Sequence, residues 1–527
     1  MEASQSELRF PPRKVAVVLG IHFGMGRRGL YGFWEIAEDD PEAIVVVDVD
    51  GREWSAREML DGCHRLAGLM KARGLKPGDS VAVALEDSAF FLQLCLAALQ
   101  SGFHFLPLNS ETGEAELDLI RNDSGASLFV DENSVEVLLK ESASYPSKRP
   151  LERTSGSLLF YTSGTTGRPR AIQKPLSGEP PEQLGKFAAV HLNAVCGIRP
   201  RSGCVHLVAS PLYHSASLLW CVDHLHLGHK VVLAGGWDSE NFLKLGERYQ
   251  VTGSLMVPTH FFRLLQLPPQ IRRRSSTESF RHIVHTGAPC PVSVKREMMD
   301  WWGPVIYEVY GTAEGGGTRV KPQEWLSKPG TVGKSFGRIR VLDEEGSDCP
   351  PGVVGRVFIK LARAVFVYSD GEERADQGRH EGFFTVGDLG FLDEDDYLFL
   401  RGRQSGMIVT GGVNVSPAEV EAVLRSHRQL ADVLVLGVSD EEFGELVTAV
   451  VEPSTFPYPE SLETELRELA ERGLVPAKRP RRYEMVERLE RNQAGKVTHQ
   501  TRARFRGRSD ASPDSGGATD RGAGGSR

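Results

Sequence analysis

No C-x-x-C pair occurs in this chain of 527 residues, and its seven cysteines, at positions 63, 95, 196, 204, 221, 290 and 349, stand mostly among apolar neighbours. That spacing argues against a disulfide framework or a zinc ribbon and leaves buried free thiols in a reducing compartment as the expectation. No apolar run nears the roughly 18 residues that a membrane-spanning helix needs. The opening "MEASQSELRFPPRK" lacks the charged, apolar and small-residue order of a cleaved leader, so a cytoplasmic protein without membrane insertion is expected. Positive charge is not in excess either: 62 Lys and Arg stand against 70 Asp and Glu, a formal net charge of -8. Nucleic acid is therefore not the expected partner, and small molecules are. The basic stretch "RPRRYEMVERLER" reads as a solvated face or strand border of mixed charge. No fixed-period repeat is present, which excludes a solenoid. No protein partner is predicted.

What is there points to an α/β protein of more than one core, since the chain is too long for a single ordinary domain. Short apolar strands alternate with helical patterns through the first 300 residues. "SVAVAL" (80 to 85) is followed by "SAFFLQLCLAALQSG" (88 to 102), and "FHFLPLN", "VVLA" and "GSLMVP" repeat the strand theme. From about residue 330 the texture turns to short strands, predicting a small β-rich subdomain. Ser416, Pro417 and Glu419 then predict a capping box opening a helix. The expected architecture is a large N-terminal domain of α/β layers with that subdomain (1–404), a small mobile α+β domain (405–506) and a tail (507–527) lacking apolar residues apart from alanine, which predicts disorder.

Several segments invite chemistry. Gly24, Gly26 and Gly29 form a G-x-G-x-x-G after an apolar run, with Asp48 where a ribose-binding acid would stand, but the intervening segment is short for a crossover helix and "VDVDGREW" reads as a hairpin with a D-G turn. His206, His214, His224, His226 and His229 lack metal-motif spacing and read as separate core or pocket histidines. His214, in "PLYHSA" between strand and helix, lies where an α/β fold places ligand contacts. "YTSGTTGRPRA" (161 to 171) is different in kind: glycines admit close approach, hydroxyls and N–H groups donate to phosphate oxygens, and Arg168 or Arg170 can neutralise charge. Read alone, it is a phosphate cradle or a hairpin turn. "YGTAEGGG" offers Glu314 as a magnesium ligand, "GDLGFLDEDDYLFLRGR" offers Asp388 and Arg403 to a ribose, and "NQAGK" offers Lys496 as a mobile cation.

Together and in this order, "TSGTTGRPR", "PLYHSA", "TGAPCP", "YGTAEGG", "GDLGFLDEDDYLFLRGR", "GGVNVSPAEVE" and "NQAGK" resemble the acyl-adenylate-forming superfamily, which includes acyl- and aryl-CoA ligases. The resemblance spans roughly residues 30 to 505. It implies that Thr162, Ser163, Gly164, Thr165, Thr166 and Gly167 cradle the β- and γ-phosphates of ATP. It implies further that Gly287, Ala288, Pro289, Tyr310, Gly311 and Thr312 frame the adenosine, with Asp388 and Arg403 on the ribose and Glu314 on Mg2+. Lys496 would contact the carboxylate and the α-phosphate, with His214 and Arg170 beside the reacting groups. Ser405 falls where the family rotates its C-terminal domain between two half-reactions.

The chain departs from the family pattern at Arg170, where lysine is usual, at Ala171, where glycine is usual, and at Ala313, which takes the place of a threonine before the glutamate. These changes spare the ATP scaffold and touch the acceptor side. The implied activity is an AMP-forming acid–CoA ligase acting on an aromatic or medium- to long-chain acid, with coenzyme A as co-substrate. The alternative is a natural-product diazotase of the same family that activates nitrite for attack by an aromatic amine. A dinucleotide oxidoreductase and a non-catalytic nucleotide-binding protein are the remaining options. The acid pocket is expected from about 210 to 220, at 260 and from 285 to 316, with His214, Trp220, Phe261 and Cys290 in its wall.

Overall fold

The computed structural model describes residues 31–112, 117, 120–121, 125–163, 169–173, 176–311, 316–360, 367–368, 379–385, 387–403, 406–410, 413–440, 443–491, 497 and 499–506. The Gly24 fingerprint, Glu314, Ser405, Lys496 and the tail thus lie outside the described residues.

Helix Phe33–Asp39 is followed by a hairpin, β1 (Ile44–Val47) and β2 (Glu53–Ser55), closed by Asp48 to Gly51. The D-G turn expected there is present, with Gly51 at φ 84°, a value that favours glycine. Next, β3 (Ser80–Ala84), β4 (His104–Pro107), β5 (Leu128–Asp131) and β6 (Ser157–Leu158) form a parallel sheet in the order β5-β3-β4-β6. Helix Ala89–Gln100 is apolar almost all round and buried at every position but Phe90, as a helix with no polar face must be. Ser88 caps it by accepting from the Phe91 N–H at 3.2 Å. A separate hairpin follows, β7 (Phe160–Ser163) and β8 (Pro169–Gln173).

The main sheet is completed by β9 (Val205–Val208), β10 (Lys230–Leu233), β11 (Gly253–Met256), β12 (His282–His285), β13 (Ile306–Gly311), β14 (Gly317–Val320) and β15 (Lys334–Ser335). Its order is β15-β14-β13-β12-β11-β9-β10-β1-β2, parallel through the middle with antiparallel strands at both edges. Helices cover both faces, so the parallel strands are apolar runs rather than alternations. Strand alternation divides the core. Ile283 and Ile306 pack with Phe261, Met298 and Trp302 on one face. Val284, Tyr307 and Val309 pack with Ala188, Leu192 and Trp220 on the other.

A second antiparallel sheet, built from strands Ile339–Leu342, Gly355–Lys360, Arg379–His380, Phe383–Phe384, Asp388–Leu392 and Leu398–Arg403, is the β-rich subdomain that the texture after residue 330 predicts. The last unit centres on strands Leu430–Asp440 and Gly444–Pro453. Helices Pro417–Leu424 and Leu462–Gly473 cover one face, and Leu489 and Phe505 pack on the other. Gln266 Nε2 donates to the Leu430 carbonyl at 2.9 Å, tying this unit to the main body.

One expectation fails here. Helix Pro417–Leu424 begins where the sequence predicts, with Ser416 at the N-cap, but the Ser416 side chain caps nothing. The Glu419 carboxylate instead takes both hydrogen bonds from Lys478 Nζ, each at 2.8 Å, because a charged partner from the neighbouring turn outcompetes a neutral backbone N–H.

Candidate active site

The C-terminal ends of β9, β12 and β13 carry the predicted site loops, the usual location for ligand contacts in an open parallel sheet. After β12, the chain leaves the sheet through Thr286, whose N–H donates to the Met256 carbonyl at 3.2 Å. Gly287 follows at φ 85°, and Gly287, Ala288 and Pro289 are exposed. A glycine in this conformation turns backbone outward without a Cβ, which suits the flat edge of a base.

Tyr310, near the end of β13, is half-buried, and its phenol donates to Asp388 Oδ2 at 2.6 Å. Asp388 is buried at the start of its strand and stands directly opposite Arg403 in the ladder. Three residues predicted for the adenosine, from positions 310, 388 and 403, are thereby drawn together at backbone level; the Arg403 side chain lies outside the described residues. Gly311 pairs with Gly317 across the β13–β14 hairpin. A Cβ on Gly317 would sit 2.1 Å from the Tyr310 carbonyl oxygen, so only glycine closes this turn. Thr312, Ala313 and Glu314 fall outside the described residues.

The glycine-rich segment forms a β-hairpin, with Thr162 opposite Arg170 and Ser163 opposite Pro169. Strand Val367–Tyr368 pairs with β8 on its other side, making a three-stranded sheet. Gly164, Thr165, Thr166 and Gly167, and the side chains of Thr162, Ser163 and Arg170, lie outside the described residues.

His214 is the N-cap of helix Ser215–His226, and its ring lies 4.1 Å from that of Tyr213. Its loop is anchored by a residue that the sequence reading missed: Asp87 Oδ1 accepts from the Leu212 N–H at 2.9 Å. Burial pushes the Asp87 carboxyl up to about 7. The signal was available, an acid three residues after the end of the apolar strand β3.

A second missed group lies close in sequence to Gly287 and Tyr310. Lys295 Nζ donates to Glu308 Oε2 at 2.7 Å, with both side chains buried. His285 Nε2 stands 3.3 Å from the same oxygen. Burial acts to raise the Glu308 carboxyl, but the charges of His285 and Lys295 outweigh it and hold the group below the usual range. Burial in turn acts to push His285 down, while Glu308 acts to raise it. Glu308 is two residues from Tyr310, and His285 two residues from Gly287.

The expected acid pocket is corrected in part. Phe261 and Cys290 pack on the face of the main sheet that carries Trp302, and Trp220 packs on the opposite face. Phe261 and Trp220 are buried core, because the helices that carry them, Pro258–Leu265 and Ser215–His226, cover opposite faces of the sheet. Nor are the histidines all separate. His206 stacks on His224 at 4.4 Å, and His224 Nδ1 meets His229 Nδ1 at 3.0 Å. His226 stands apart, its Nδ1 accepting from the Phe33 N–H at 3.1 Å. Burial pushes His206 and His226 down to about 3 and His229 to about 4, as for neutral core imidazoles. Among the described residues, no group of three or more His, Cys, Asp and Glu has the arrangement of a metal site, and no helix is long and apolar enough to cross a membrane. The seven cysteines are free thiols.

Comparison with known proteins agrees with this geometry. Residues 33–366 match the model of the AMP-binding enzymes and residues 419–496 that of the AMP-binding enzyme C-terminal domain. A fatty acid–[acyl-carrier-protein] ligase of Streptomyces coeruleorubidus is 28% identical over 89% of this chain and 95% of its own. A feruloyl-CoA synthase of Amycolatopsis sp is 29% identical over 91% of this chain and 100% of its own. The o-succinylbenzoate CoA synthetase of Bacillus subtilis, solved with its acyl-adenylate intermediate, superposes with a TM-score of 0.76 at 25% identity, covering 92% of this chain and 99% of that one. The chain belongs to the AMP-binding enzymes, the acyl-adenylate-forming superfamily of AMP-forming ligases.

Proposed function

We propose that the protein is an ATP-dependent, AMP-forming ligase that adenylates an aromatic or medium- to long-chain carboxylic acid and transfers the acyl group to coenzyme A. The observation that carries this reading is the Tyr310–Asp388 hydrogen bond beside the exposed Gly287–Pro289 turn, a frame suited to adenosine. Relatives named as acyl- and aryl-CoA ligases over nearly their whole lengths support it.

In this reading Thr162 to Gly167 and Arg170 hold the pyrophosphate end of ATP, Gly287 to Pro289, Tyr310, Gly311 and Thr312 frame the base, and Asp388 and Arg403 hold the ribose. Glu314 is the carboxylate that would hold Mg2+, which neutralises phosphate charge when bound. Lys496 brings its ammonium to the substrate carboxylate and the α-phosphate. One carboxylate oxygen attacks the α-phosphorus in line, and pyrophosphate leaves with the electrons of the broken P–O bond. Positioning and charge supply most of the catalysis in such a displacement. The coenzyme A thiolate then attacks the carbonyl carbon, and AMP departs. His214 lines the acyl side. Residues 405–506 form the mobile unit that brings Lys496 to the first step and withdraws it for the second. A cytoplasmic setting keeps the seven thiols reduced.

The test is release of AMP and pyrophosphate from ATP and magnesium across aryl and fatty acids, with and without coenzyme A, and with nitrite plus an aminohydroxybenzoic acid. Turnover that requires an organic acid and yields a thioester is expected. Turnover that requires nitrite and an aryl amine and ignores coenzyme A would replace this reading with nitrite activation.

A further inference from the structure

The face of the main sheet that carries Tyr307 also carries a cavity of about 560 Å³, bounded by the C-terminal end of helix Glu182–Cys196 and by β13, β14 and β15. Its volume lies within the range of small-molecule sites. Tyr307 and Tyr310 are three positions apart on β13 and so project to opposite faces, which separates this cavity from the adenosine frame.

Its walls have an unusual charge pattern. Arg319 on β14 stands directly across the ladder from Lys334 on β15. Residues opposed in this way share one face, and like charges so placed repel. Lys321, just beyond β14, adds a third cation. Arg319 is half-buried and has no ion pair with any described residue. Exposed Lys334 has its ammonium 4.6 Å from the Tyr397 ring and no ion pair with any described residue. The lone acid in the wall, Glu324, turns one oxygen back to accept from the Lys321 N–H at 2.8 Å. Two aromatic rings complete the lining, half-buried Tyr307 and Phe336, the latter 36% exposed.

Arg319 is half-buried while Lys321 and Lys334 are exposed, so the three present positive charge at the mouth of the cavity. Arginine forks match phosphate oxygens, and flat side chains stack on rings. We propose that this cavity is a second ligand site that takes a phosphorylated compound with a planar ring, a nucleoside phosphate, held by Arg319, Lys321 and Lys334 with its ring against Tyr307 or Phe336. The site stands independently of the adenylation reading, because none of these residues belongs to the adenosine frame. Its occupant is a free adenine nucleotide or the nucleotide end of coenzyme A.

Calorimetric titration of the full chain with AMP tests this. Two binding classes are expected in the wild-type protein. Asp388→Ala weakens one of them, while Arg319→Met and Lys334→Met each weaken the other at least tenfold and leave adenylation within about twofold. Competition by coenzyme A assigns the second class to its nucleotide end; failure to compete assigns it to a free nucleotide. Inorganic phosphate should compete far more weakly than AMP. Thermal melting guards against misfolding: without ligand, either Met variant should melt no lower than the wild type, because it relieves a repulsion. A single binding class in the wild type, loss of all AMP binding in Asp388→Ala, phosphate binding as tight as that of AMP, or a sharply lower melting point in both Met variants would overturn the proposal.

Discussion

The two faces of β12 and β13 handle ionisable groups in opposite ways. Toward helix Val292–Trp302, Lys295 and Glu308 keep their charges in the interior because each is the other's partner at 2.7 Å. Around helix Ser215–His226 and β9, His206, His224 and His229 touch one another and give up their charges, since three clustered imidazolium ions have no carboxylate to answer them. Buried charge survives where it is paired, and a titratable group without a partner is neutralised. On the paired face, His285 and Glu308 stand two residues from Gly287 and Tyr310.

The largest effect should come from breaking the pair. Glu308→Ala or Lys295→Ala leaves one buried charge uncompensated and should cost about 3–5 kcal/mol in urea unfolding, whereas Lys295→Met combined with Glu308→Leu should cost far less. If the double variant is as unstable as the single ones, packing rather than charge pairing explains this face.

Acid should break the other face first. His206 and His229 on that face have folded values of about 3 and 4, and His226, which stands apart, about 3, all below the unfolded value of 6.5. Each therefore contributes stability that is complete above the unfolded value and is lost as pH falls toward the folded one. Between pH 7 and pH 5 the loss should reach roughly 2 kcal/mol for each such group. Melting temperatures across this window check it, and His206→Phe should flatten the slope.

Tyr310→Phe removes the bond to Asp388 without disturbing either face. It should raise the KM for ATP about tenfold, roughly 1.4 kcal/mol, with melting little changed.

Asp87 applies the same rule with the sign reversed. Its folded value of about 7 lies above the unfolded 3.8, so its contribution is full at acid pH and is lost as pH rises through 7. Asp87→Asn retains an acceptor for the Leu212 N–H and should stabilise the protein by on the order of 1 kcal/mol at pH 8, with no gain at pH 4. Equal effects at both pH values would rule out titration as the cause.

Local patterns were legible where physics is local. The "VDVDGREW" hairpin, the helix after Ser88 and the strand runs at 231 and 253 follow from turn chemistry, capping and unbroken apolar stretches, and the structure has them. The capping box at Ser416 was misread because Lys478, distant in sequence, claims Glu419. Phe261 and Trp220 were assigned to one pocket wall because sequence spacing does not say which side of a sheet a helix covers.

By itself the sequence determined the class of the protein and the order of its site segments, since glycines, hydroxyls and acids needed for backbone approach and charge must recur at short range. Only the tertiary structure decided which distant groups meet: Tyr310 with Asp388, Asp87 with Leu212, Lys295 with Glu308, and Arg319 facing Lys334. Such contacts depend on sheet order and on which face each strand position occupies, and both are set by packing of the whole chain.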